Sequence, residues 1–395
     1  MRVVLTGGGF GGHASMAIAI GQGLRAAGVE EIHYIGCRDY IEHRLVTRET
    51  DFAFHHIRVN AVPRRSELDG ERMLSGFVNR GKGGPPLLVR QLCWPPRLAV
   101  ATLRSVAYLR RIHPTVVVAV GGAVCAPVVL AAAATRIRIV LHEANEVPGR
   151  TNRRLAPLAS IVAVVSVAAG RRLGRRTVVT GNPVREAFAR PPRPEAARRR
   201  FDLLPGVPTL LVTGGSLGAP PLNRAIAEVG DRLISGLGLQ ILHQTGDEAF
   251  GDPRVARERS RQVLRHHGRY RAAPYLDDFV DALTAADLVL TRAGAATLAE
   301  IACLGKPAIV APFAEARDNH QWHNARAAES RGGVIVLAED DLEGGRLIDL
   351  VTQGLAMAPR PEGASRMGIK AAGEIAGLTL AVASGSKVPA CGLDG

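Results

Sequence analysis

Short runs of β-branched and other apolar residues, bounded by glycine or polar residues, alternate with longer stretches rich in alanine, leucine and arginine. Parallel strands that are covered by helices on both faces have such nearly continuous apolar runs, so the pattern predicts an α/β fold. The runs predict eleven strands, which exceed one sheet of ordinary size and therefore indicate two sheets. The predicted strands are Arg2–Thr6, Glu31–Gly36, Thr115–Val120, Arg138–His142, Ser160–Val165, Thr177–Thr180, Thr209–Thr213, Leu239–Gln244, Leu288–Thr291, Ala308–Ala311 and Val334–Leu337.

The beginning of this pattern occurs twice. Residues 3–12 and 210–219 each comprise an apolar run, the letters TGG, a glycine-rich turn and the start of a helical stretch, at an offset of 207 residues. A repeated strand–turn–helix unit predicts two Rossmann-like domains with parallel sheets that face a cleft. We expect a first domain over 1–188, a linker rich in proline and arginine over 189–200, a second domain over 201–360, and a last helix with a loose tail over 361–395.

Composition narrows the choice of partners. The 395 residues carry 50 Lys and Arg against 36 Asp and Glu, a net charge of +14, which favours anionic partners such as nucleotides, phosphorylated lipids or a membrane surface. No lysine completes a GxxxxGK[ST] pattern, which excludes a Walker-type NTPase. Aromatic residues make up 4%, too few for the stacking surfaces of a nucleic-acid binder. Five cysteines without a CxxC pair predict neither disulfides nor a cysteine zinc site and fit a reducing cytoplasm.

The first glycine turn is open to two interpretations. Gly7, Gly9 and Gly12 formally satisfy GxGxxG, the fingerprint of dinucleotide-dependent enzymes. Such an enzyme needs an acidic residue at the end of the second strand, and Asp39 is poorly placed for that task, so an oxidoreductase is the weaker alternative. His13 falls in the first turn of the following helix, where it is either a surface residue or a base or phosphate contact.

The second half of the chain carries the groups that a nucleoside diphosphate needs. Ser216 adds a hydroxyl donor to the glycine turn 214–218, unless that turn is purely structural. After the strand at 288–291, Thr297 lies in the first helical turn and Glu300 one turn further along the same face. This spacing places a hydroxyl near a phosphate and a carboxylate near sugar hydroxyls, although Glu300 could also be a solvated helix residue. The polar segment 318–324 follows another strand and is expected to face the ligand.

The sequence offers no metal site and one segment suited to a membrane. No DxD pair follows a strand, the HEANE segment from His142 departs from HExxH, and the histidines within 318–324 lack a third partner, so we expect neither metal nor cofactor. The segment 80–111 contains leucines, a valine and Trp94 among cationic residues. The cations are Arg80, Lys82, Arg90, Arg97 and Arg104. Apolar residues surrounded by cations are typical of a segment that binds an anionic membrane surface. The alternative is an ordinary loop and helix packed into the first domain.

The motifs of this chain, taken in their order along the sequence, resemble those of the MurG family. Its members are GT-B glycosyltransferases that add N-acetylglucosamine to a lipid-linked muramyl peptide in peptidoglycan synthesis. The resemblance covers Met1 to about Gly354. It rests on the first turn with His13, Gly121-Gly122 with Pro127, His142-Glu143 with Asn145, Gly181–Arg185, the turn 214–219, the segment 294–300, and His320-Gln321 with Asn324-Ala325.

The resemblance implies a UDP-N-acetylglucosamine donor in the second domain. Ser216 and Thr297 would meet the diphosphate, Arg185 the nucleotide, Glu300 the ribose, and the Leu276 backbone the uracil. The full set of implied donor residues is Arg185, Ser216, Leu276, Ala296, Thr297, Glu300, His320 and Gln321, the last two at the sugar.

The resemblance also implies a lipid-linked pyrophosphoryl acceptor in the first domain, with no nucleic-acid partner. Gly11 and Gly12 would face the pyrophosphate, and the implied catalytic residues near the reacting hydroxyl are His13, Glu143 and Asn145. The segment 80–111 matches the family's membrane-docking region, which implies a peripheral protein on the cytoplasmic face of the cell membrane.

Three departures from the family pattern lie in the acceptor half. Phe10 interrupts the usual GGTGGH, the segment 121–127 lacks the aromatic and serine of GGYxSxP, and Ala144 replaces the glutamine of HEQN. A relative that uses another UDP-sugar or acceptor in secondary metabolism is therefore an alternative, and a non-catalytic binding module is a third. We expect an inverting, metal-independent glycosyltransferase with His13 as the first candidate base.

Overall fold

The structure is a computed structural model of the chain and describes residues 1–9, 11–59, 94–174, 176–246, 268–342, 345–359 and 367–386. In these residues the chain forms thirteen strands in two fully parallel sheets, of seven and six strands. Helices connect the strands, as the apolar runs predict for sheets that are buried on both faces. The predicted class of two parallel-sheet α/β domains is confirmed.

The first sheet has the strand order β3-β2-β1-β4-β5-β6-β7. Val4, Val117 and Leu141 lie in one of its apolar clusters and are fully buried, which explains why the central strands consist almost entirely of apolar residues. The elements are β1 (Arg2–Thr6), α1 (Gly11–Ala26), β2 (Glu31–Gly36), α2 (Ile41–Glu49), β3 (Ala53–His56), α3 (Trp94–Ile112), β4 (Val116–Ala119), α4 (Cys125–Ala134), β5 (Arg138–Glu143), α5 (Arg150–Leu155), a 3₁₀ turn (Ala156–Leu158), β6 (Ile161–Val164), α6 (Val167–Leu173) and β7 (Thr177–Val179).

The second sheet repeats this order as β10-β9-β8-β11-β12-β13. Alternate residues of its strands point to opposite faces, so Leu210 and Leu211 belong to two separate apolar clusters. The elements are a 3₁₀ turn (Glu186–Ala189), α7 (Pro194–Arg200), β8 (Thr209–Thr213), α8 (Pro220–Leu237), β9 (Gln240–Gln244), β10 (Tyr270–Ala273), α9 (Phe279–Ala285), β11 (Leu288–Thr291), α10 (Ala295–Cys303), β12 (Ala308–Val310), a 3₁₀ turn (Arg317–Asn319), α11 (His320–Ser330), β13 (Val334–Val336), a 3₁₀ turn (Glu339–Leu342), α12 (Arg346–Leu355) and α13 (Met367–Ser384).

All eleven predicted strands are present, with ends that fall within one residue of the prediction. Two strands, β3 and β10, were not predicted; each lies at the edge of its sheet, next to the second strand of its unit. Each has four residues, AFHH in β3 and YRAA in β10, and only one residue of β10 is buried. An edge strand with little burial lacks the continuous apolar run by which the inner strands are recognised.

The chain divides into two compact units. The first comprises the described residues of 1–144, 148–181 and 371–395, and the second those of 145–147 and 182–370. The prediction placed a linker at 189–200, whereas the structure forms α7 there. Ala197 of α7 lies in the second unit's core, and Arg198 forms an ion pair of 2.8 Å with Asp287. The prediction also separated 361–395 from both domains, whereas most of α13 belongs to the first unit.

One described helix, α13, is long and apolar enough to cross a membrane by length and composition alone. Of the 18 residues of this helix, 44% are buried within the structure. The core helix of a water-soluble domain can have the same length and composition. The segment 80–111, for which membrane docking is predicted, lies outside the described residues as far as residue 93. Its described part is α3, on which Val100 and Leu103 are 53% and 69% exposed.

Helices α1 and α13 pack closely enough that one glycine contact can be tested. A Cβ at Gly23 would lie 2.8 Å from the carbonyl oxygen of Ala372, whereas a Cβ at Gly373 would meet nothing within 4 Å. Glycine to alanine in a helix normally stabilises it by about 1 kcal/mol. We expect Gly373→Ala to raise the melting temperature and Gly23→Ala to lower it, at a cost of about 1–3 kcal/mol from overpacking. Thermal unfolding followed by circular dichroism measures both, and equal shifts would contradict the close approach.

Candidate functional site

Each sheet reverses its strand order once, between β1 and β4 in the first unit and between β8 and β11 in the second. In open parallel sheets, ligands bind at the carboxyl ends of the strands beside such a reversal. The two glycine turns follow β1 and β8, and therefore lie at these two points. The following helices α1 and α8 have no acidic residue in their first turns, so their positive ends are open to an anion.

The first glycine turn is tightly packed against its neighbours. The hydroxyl of Tyr34 donates to the Gly7 carbonyl, and the Gly9 N–H donates to a carboxylate oxygen of Glu42 at 3.3 Å. Gly122, with a φ of 82°, follows β4, and a Cβ on it would overlap the carbonyl oxygen of Gly8. Only glycine at position 122 allows this approach of two backbones, so the contact fixes the position of Gly8 against the segment after β4.

His13 lies beside the switch point of the first sheet. It stands in the first turn of α1 after Gly11 and Gly12, all three partly exposed. A Cβ on Gly121 would lie 3.3 Å from His13 Nε2 and 3.2 Å from Asn152 Nδ2, so both side chains border the same glycine. The structure therefore brings His13 together with Asn152 of α5, a residue that the sequence analysis missed.

Glu143 is turned into the protein. It is 1% exposed, and its Oε2 accepts hydrogen bonds of 2.9 Å from the Gly149 N–H and from Asn152 Nδ2. Asn152 Nδ2 also donates to the His142 carbonyl at 3.0 Å. Glu143 thus fixes the orientation of the Asn152 amide. The signal for Asn152 is weak in sequence, since an asparagine ten residues after His142 becomes a neighbour only through the turn before α5.

Asn145 belongs to the second unit, whereas His13 and Glu143 belong to the first. Asn324 of α11 donates to the Asn145 side-chain carbonyl at 3.0 Å and accepts from the Glu146 N–H at 3.0 Å. Arg331 forms an ion pair of 2.9 Å with Glu146. Asn145 is therefore held by α11, a partner that the resemblance did not assign to it.

A single amide side chain holds the second glycine turn. Gln244, at the end of β9, donates to the Gly215 carbonyl at 2.6 Å and accepts from the Leu276 N–H at 3.0 Å. The Leu276 N–H is thereby occupied within the protein, so a uracil contact through this residue would have to use its carbonyl. Ser216 is partly exposed in the turn.

A buried histidine joins β9 to α8 and β10. His243 Nε2 lies 3.0 Å from Asn223 Oδ1, and Nδ1 lies 2.8 Å from the Tyr270 hydroxyl. Asn223 Nδ2 donates to the Thr245 carbonyl, which leaves its Oδ1 as acceptor and requires His243 Nε2 to carry the proton. Burial lowers the pKa of His243 to about 3, so the imidazole is neutral at physiological pH.

The remaining residues that the resemblance assigns to the donor include several on or beside α10. Ala296 and Thr297 lie partly exposed in its first turn, which contains no acidic residue. Glu300, 5% exposed, forms an ion pair of 3.3 Å with Arg185, which is 9% exposed. The two residues that the resemblance assigns to nucleotide and ribose are thus brought together, each providing the counter-charge of the other.

The loop before α11 is held by a buried arginine to which the sequence pattern assigned no role. Arg292, at the end of β11, forms an ion pair of 2.5 Å with Glu339 and donates to the carbonyls of Ala311 and Pro312 at 3.2 and 3.3 Å. Burial lowers the pKa of this guanidinium. A buried arginine directly after a strand was the available signal for this role.

His320 and Gln321 begin α11, and both are partly exposed. Gln321 Oε1 accepts from the Phe313 N–H at 2.9 Å. Asp318 and Asn319 before them have φ values of 53° and 52°, a left-handed pair that costs energy outside glycine and is common at functional loops. Within the described ranges, no three His, Cys, Asp or Glu side chains are grouped as metal ligands.

Known protein families match the sequence of each unit. The glycosyltransferase family 28 N-terminal domain matches residues 3–164 and the family 28 C-terminal domain matches residues 209–377. The UDP-N-acetylglucosamine–N-acetylmuramyl-(pentapeptide) pyrophosphoryl-undecaprenol N-acetylglucosamine transferase of Halothermothrix orenii is 35% identical over 93% of this chain and 95% of its own. The protein of the same name from Moorella thermoacetica is 36% identical over 89% of each chain.

Solved structures resemble the fold as a whole. Acinetobacter baumannii MurG is 22% identical, with a TM-score of 0.60 over 96% of this chain and 99% of its own. The calicheamicin glycosyltransferase CalG4 is 16% identical, with a TM-score of 0.60 over 98% of this chain and 100% of its own. At these identities the likeness concerns the fold alone, and it agrees with the predicted GT-B class.

The buried histidine predicts a stability loss in acid. Because the folded-state pKa of His243 lies below its unfolded value, the unfolded chain binds a proton that the folded chain refuses, and stability is lost as pH falls below about 6.5. We expect the wild type to lose about 2 kcal/mol more than His243→Gln between pH 6.5 and 4.5. Melting temperatures across this range measure the difference, with the exposed His323→Gln as control. Parallel curves for wild type and His243→Gln would contradict a buried neutral imidazole.

Proposed function

The chain belongs to glycosyltransferase family 28, among the UDP-N-acetylglucosamine–N-acetylmuramyl-(pentapeptide) pyrophosphoryl-undecaprenol N-acetylglucosamine transferases, and we propose that it catalyses the reaction for which these relatives are named. It transfers N-acetylglucosamine from UDP to a lipid-linked muramyl peptide in peptidoglycan synthesis. Identity of 35–36% across about nine tenths of the chain carries this conclusion. The competing oxidoreductase interpretation of the first glycine turn is thereby displaced.

We propose that the donor binds at the carboxyl ends of β8 and β11. The turn with Ser216 and the amino end of α10 with Thr297 offer hydroxyl and amide donors, with no acidic residue in the first turns of α8 or α10. These groups suit a diphosphate, because helix amino ends carry partial positive charge. Arg185 and Glu300 add a guanidinium and a carboxylate for the nucleoside, and His320 with Gln321 would contact the sugar.

The proposed chemistry is a single displacement with inversion. The acceptor hydroxyl attacks the anomeric carbon, the bond from that carbon to the β-phosphate oxygen breaks, and UDP leaves with the electron pair. The amide donors of the second turn and α10 would stabilise the charge that grows on UDP. His13 would accept the hydroxyl proton, since an imidazole is largely neutral at physiological pH.

Glu143 would act in this proposal through Asn152. It is buried and hydrogen-bonded, so it orients the amide beside His13 and does not itself reach the substrate. Gly11 and Gly12, at the amino end of α1, would receive the acceptor pyrophosphate. Asn145 would act from the position that Asn324 gives it.

We further propose that α3 docks on the anionic cytoplasmic face of the cell membrane. Its outer surface exposes Val100 and Leu103 among the exposed cations Arg97 and Arg104. In an interfacial helix, apolar side chains insert between the lipid headgroups, and surrounding arginines attract the anionic headgroups.

Transfer assays on the purified protein test the proposed function. Release of UDP from UDP-N-acetylglucosamine should require the lipid-linked muramyl peptide, and UDP-glucose and UDP-N-acetylgalactosamine should be poorer donors. Heat-shift assays should show stabilisation by UDP but not by NAD or FAD. Because the departures at Phe10 and Ala144 lie on the acceptor side, other lipid acceptors belong in the same screen, and transfer to one of those alone would contradict the proposed acceptor.

Removal of the proposed base should reduce turnover without loss of donor binding. We expect His13→Ala to lower kcat about 100-fold or more, the contribution of a general base, while the Kd for UDP stays within about twofold. The control is His113→Asn, which removes an exposed imidazole of the same unit and tolerates the φ of 52° at that position. Unchanged turnover in His13→Ala would remove His13 from the mechanism.

Glu300 should affect the donor more than turnover. We expect Glu300→Ala and Glu300→Gln to raise the donor KM about 10- to 100-fold, because a hydrogen bond from a ribose hydroxyl to a carboxylate is lost. Melting temperatures separate this effect from the loss of the Arg185 counter-charge, and Glu228→Gln, on the exposed side of α8, is the control. A donor KM that stays at the wild-type value in a folded variant would argue against the ribose contact.

A further inference from the structure

A buried carboxylate lies directly beneath the first glycine turn. Glu42, in the first turn of α2, has no exposed surface. Its Oε2 accepts from the Gly9 N–H and its Oε1 from the Cys37 N–H, each at 3.3 Å. A Cβ on Gly8 would collide with the same carboxylate. Glu42 therefore connects the turn after β1 to the end of β2 and fixes the backbone that would receive an anion.

No cation in the described part of the chain balances the charge of Glu42. Among the residues that the structure describes, no arginine, lysine or histidine forms an ion pair with Glu42. Burial raises the pKa of Glu42 to about 7, and the hydrogen bonds from its own N–H and those of Gly9 and Cys37 offset that effect only in part. The carboxyl group is consequently divided between its charged and neutral forms at physiological pH.

Three buried titratable groups that the structure describes around Glu42 do not ionise near neutrality. Of the described residues, Tyr34 on β2 and Cys125 on α4 are buried, and burial raises the pKa of both. Burial also raises the pKa of Cys37, with smaller contributions from the charges of Asp39 and Glu42. These three groups stay neutral through pH 8, and Asp39 is exposed.

An anion on the glycine turn and a charged Glu42 would lie on opposite sides of one short backbone segment, and each would accept from different N–H groups. Both would accept from backbone N–H groups of one short turn, and their mutual repulsion is weakly screened because Glu42 is buried. Binding of the anion therefore favours the neutral form of the carboxyl group. We propose that Glu42 is a positioning residue of the acceptor site, and that the pyrophosphate group of the acceptor binds to the first glycine turn with uptake of one proton from solvent by Glu42.

This inference rests on the proposed function and predicts a pH dependence in one kinetic constant. Proton uptake keeps acceptor affinity constant below the free-state pKa and reduces it up to tenfold per pH unit above. A diester pyrophosphate has no proton of its own to lose in this range. We expect the acceptor KM of the wild type to rise about tenfold between pH 7 and 8.5, with no matching change in the donor KM.

The neutral variant Glu42→Gln separates charge from shape. It keeps the side-chain length and an acceptor oxygen but cannot ionise, so its acceptor KM should vary by about twofold or less over the same range and lie below that of the wild type at pH 8.5. Glu49→Gln, the same change at the other end of α2, should follow the wild type. A Glu42→Gln enzyme whose acceptor KM follows the wild-type curve would overturn the proposal.

Two measurements keep the test independent of the variant's activity. The raised pKa means that the wild type loses stability as pH rises from about 4.5 to 7, so Glu42→Gln should gain about 5 °C in melting temperature relative to wild type between pH 5 and 8. Calorimetric titration of the wild type with a short-chain acceptor, in two buffers of different ionisation enthalpy, should report proton uptake at pH 7.5, and its absence would overturn the coupling. A wild type without transfer activity would contradict the proposed function, whereas an active wild type without proton uptake would contradict only the role of Glu42.

Discussion

The structure depends on the close approach of backbone to backbone at the two glycine turns, which follow β1 and β8. In the first unit the glycine pair after β4 presses on the carbonyl of Gly8. In the second unit Gly218, with a φ of 74°, presses on the carbonyl of Thr245. No side chain fits at either place, so the amides of each turn are held beside the amino end of a helix. Backbone donors held in this way are oriented before a ligand binds.

The sequence predicted those features that backbone packing imposes on residue type. Inner strands must be apolar on both faces, and tight turns at a reversal must be glycine, so eleven strands and both turns could be recognised. Edge strands β3 and β10 escaped because neither constraint applies to them. Helix α7 escaped because prolines and arginines resemble a linker, although one small residue, Ala197, is enough to attach it to a core.

The side-chain contacts of the candidate site were less predictable. Asn152 beside His13, Arg292 with Glu339, and Gln244 on Leu276 join residues that are 32 or more positions apart or lie on different elements. Their residue types are ordinary for a surface or a cap, and only the sheet order makes them neighbours. The resemblance named residues that would touch substrate, whereas the structure adds those that hold them in place.

The two units stabilise their turns by different kinds of side chain, a neutral amide in one and an ionisable carboxyl group in the other. This difference has consequences for anion binding. In the second unit Gln244 joins the turn to Leu276, three residues beyond β10, and the amide of Gln244 is neutral at every pH. In the first unit Glu42 joins the turn to the end of β2, and its carboxyl group can ionise. An amide leaves the charge of a bound diphosphate unopposed, which suits a donor that must bind whatever the pH. A carboxyl group makes anion affinity depend on its own protonation. In the roles proposed for them, the turn of the second unit would bind an anion without proton uptake, whereas the turn of the first unit would bind one with uptake of a proton.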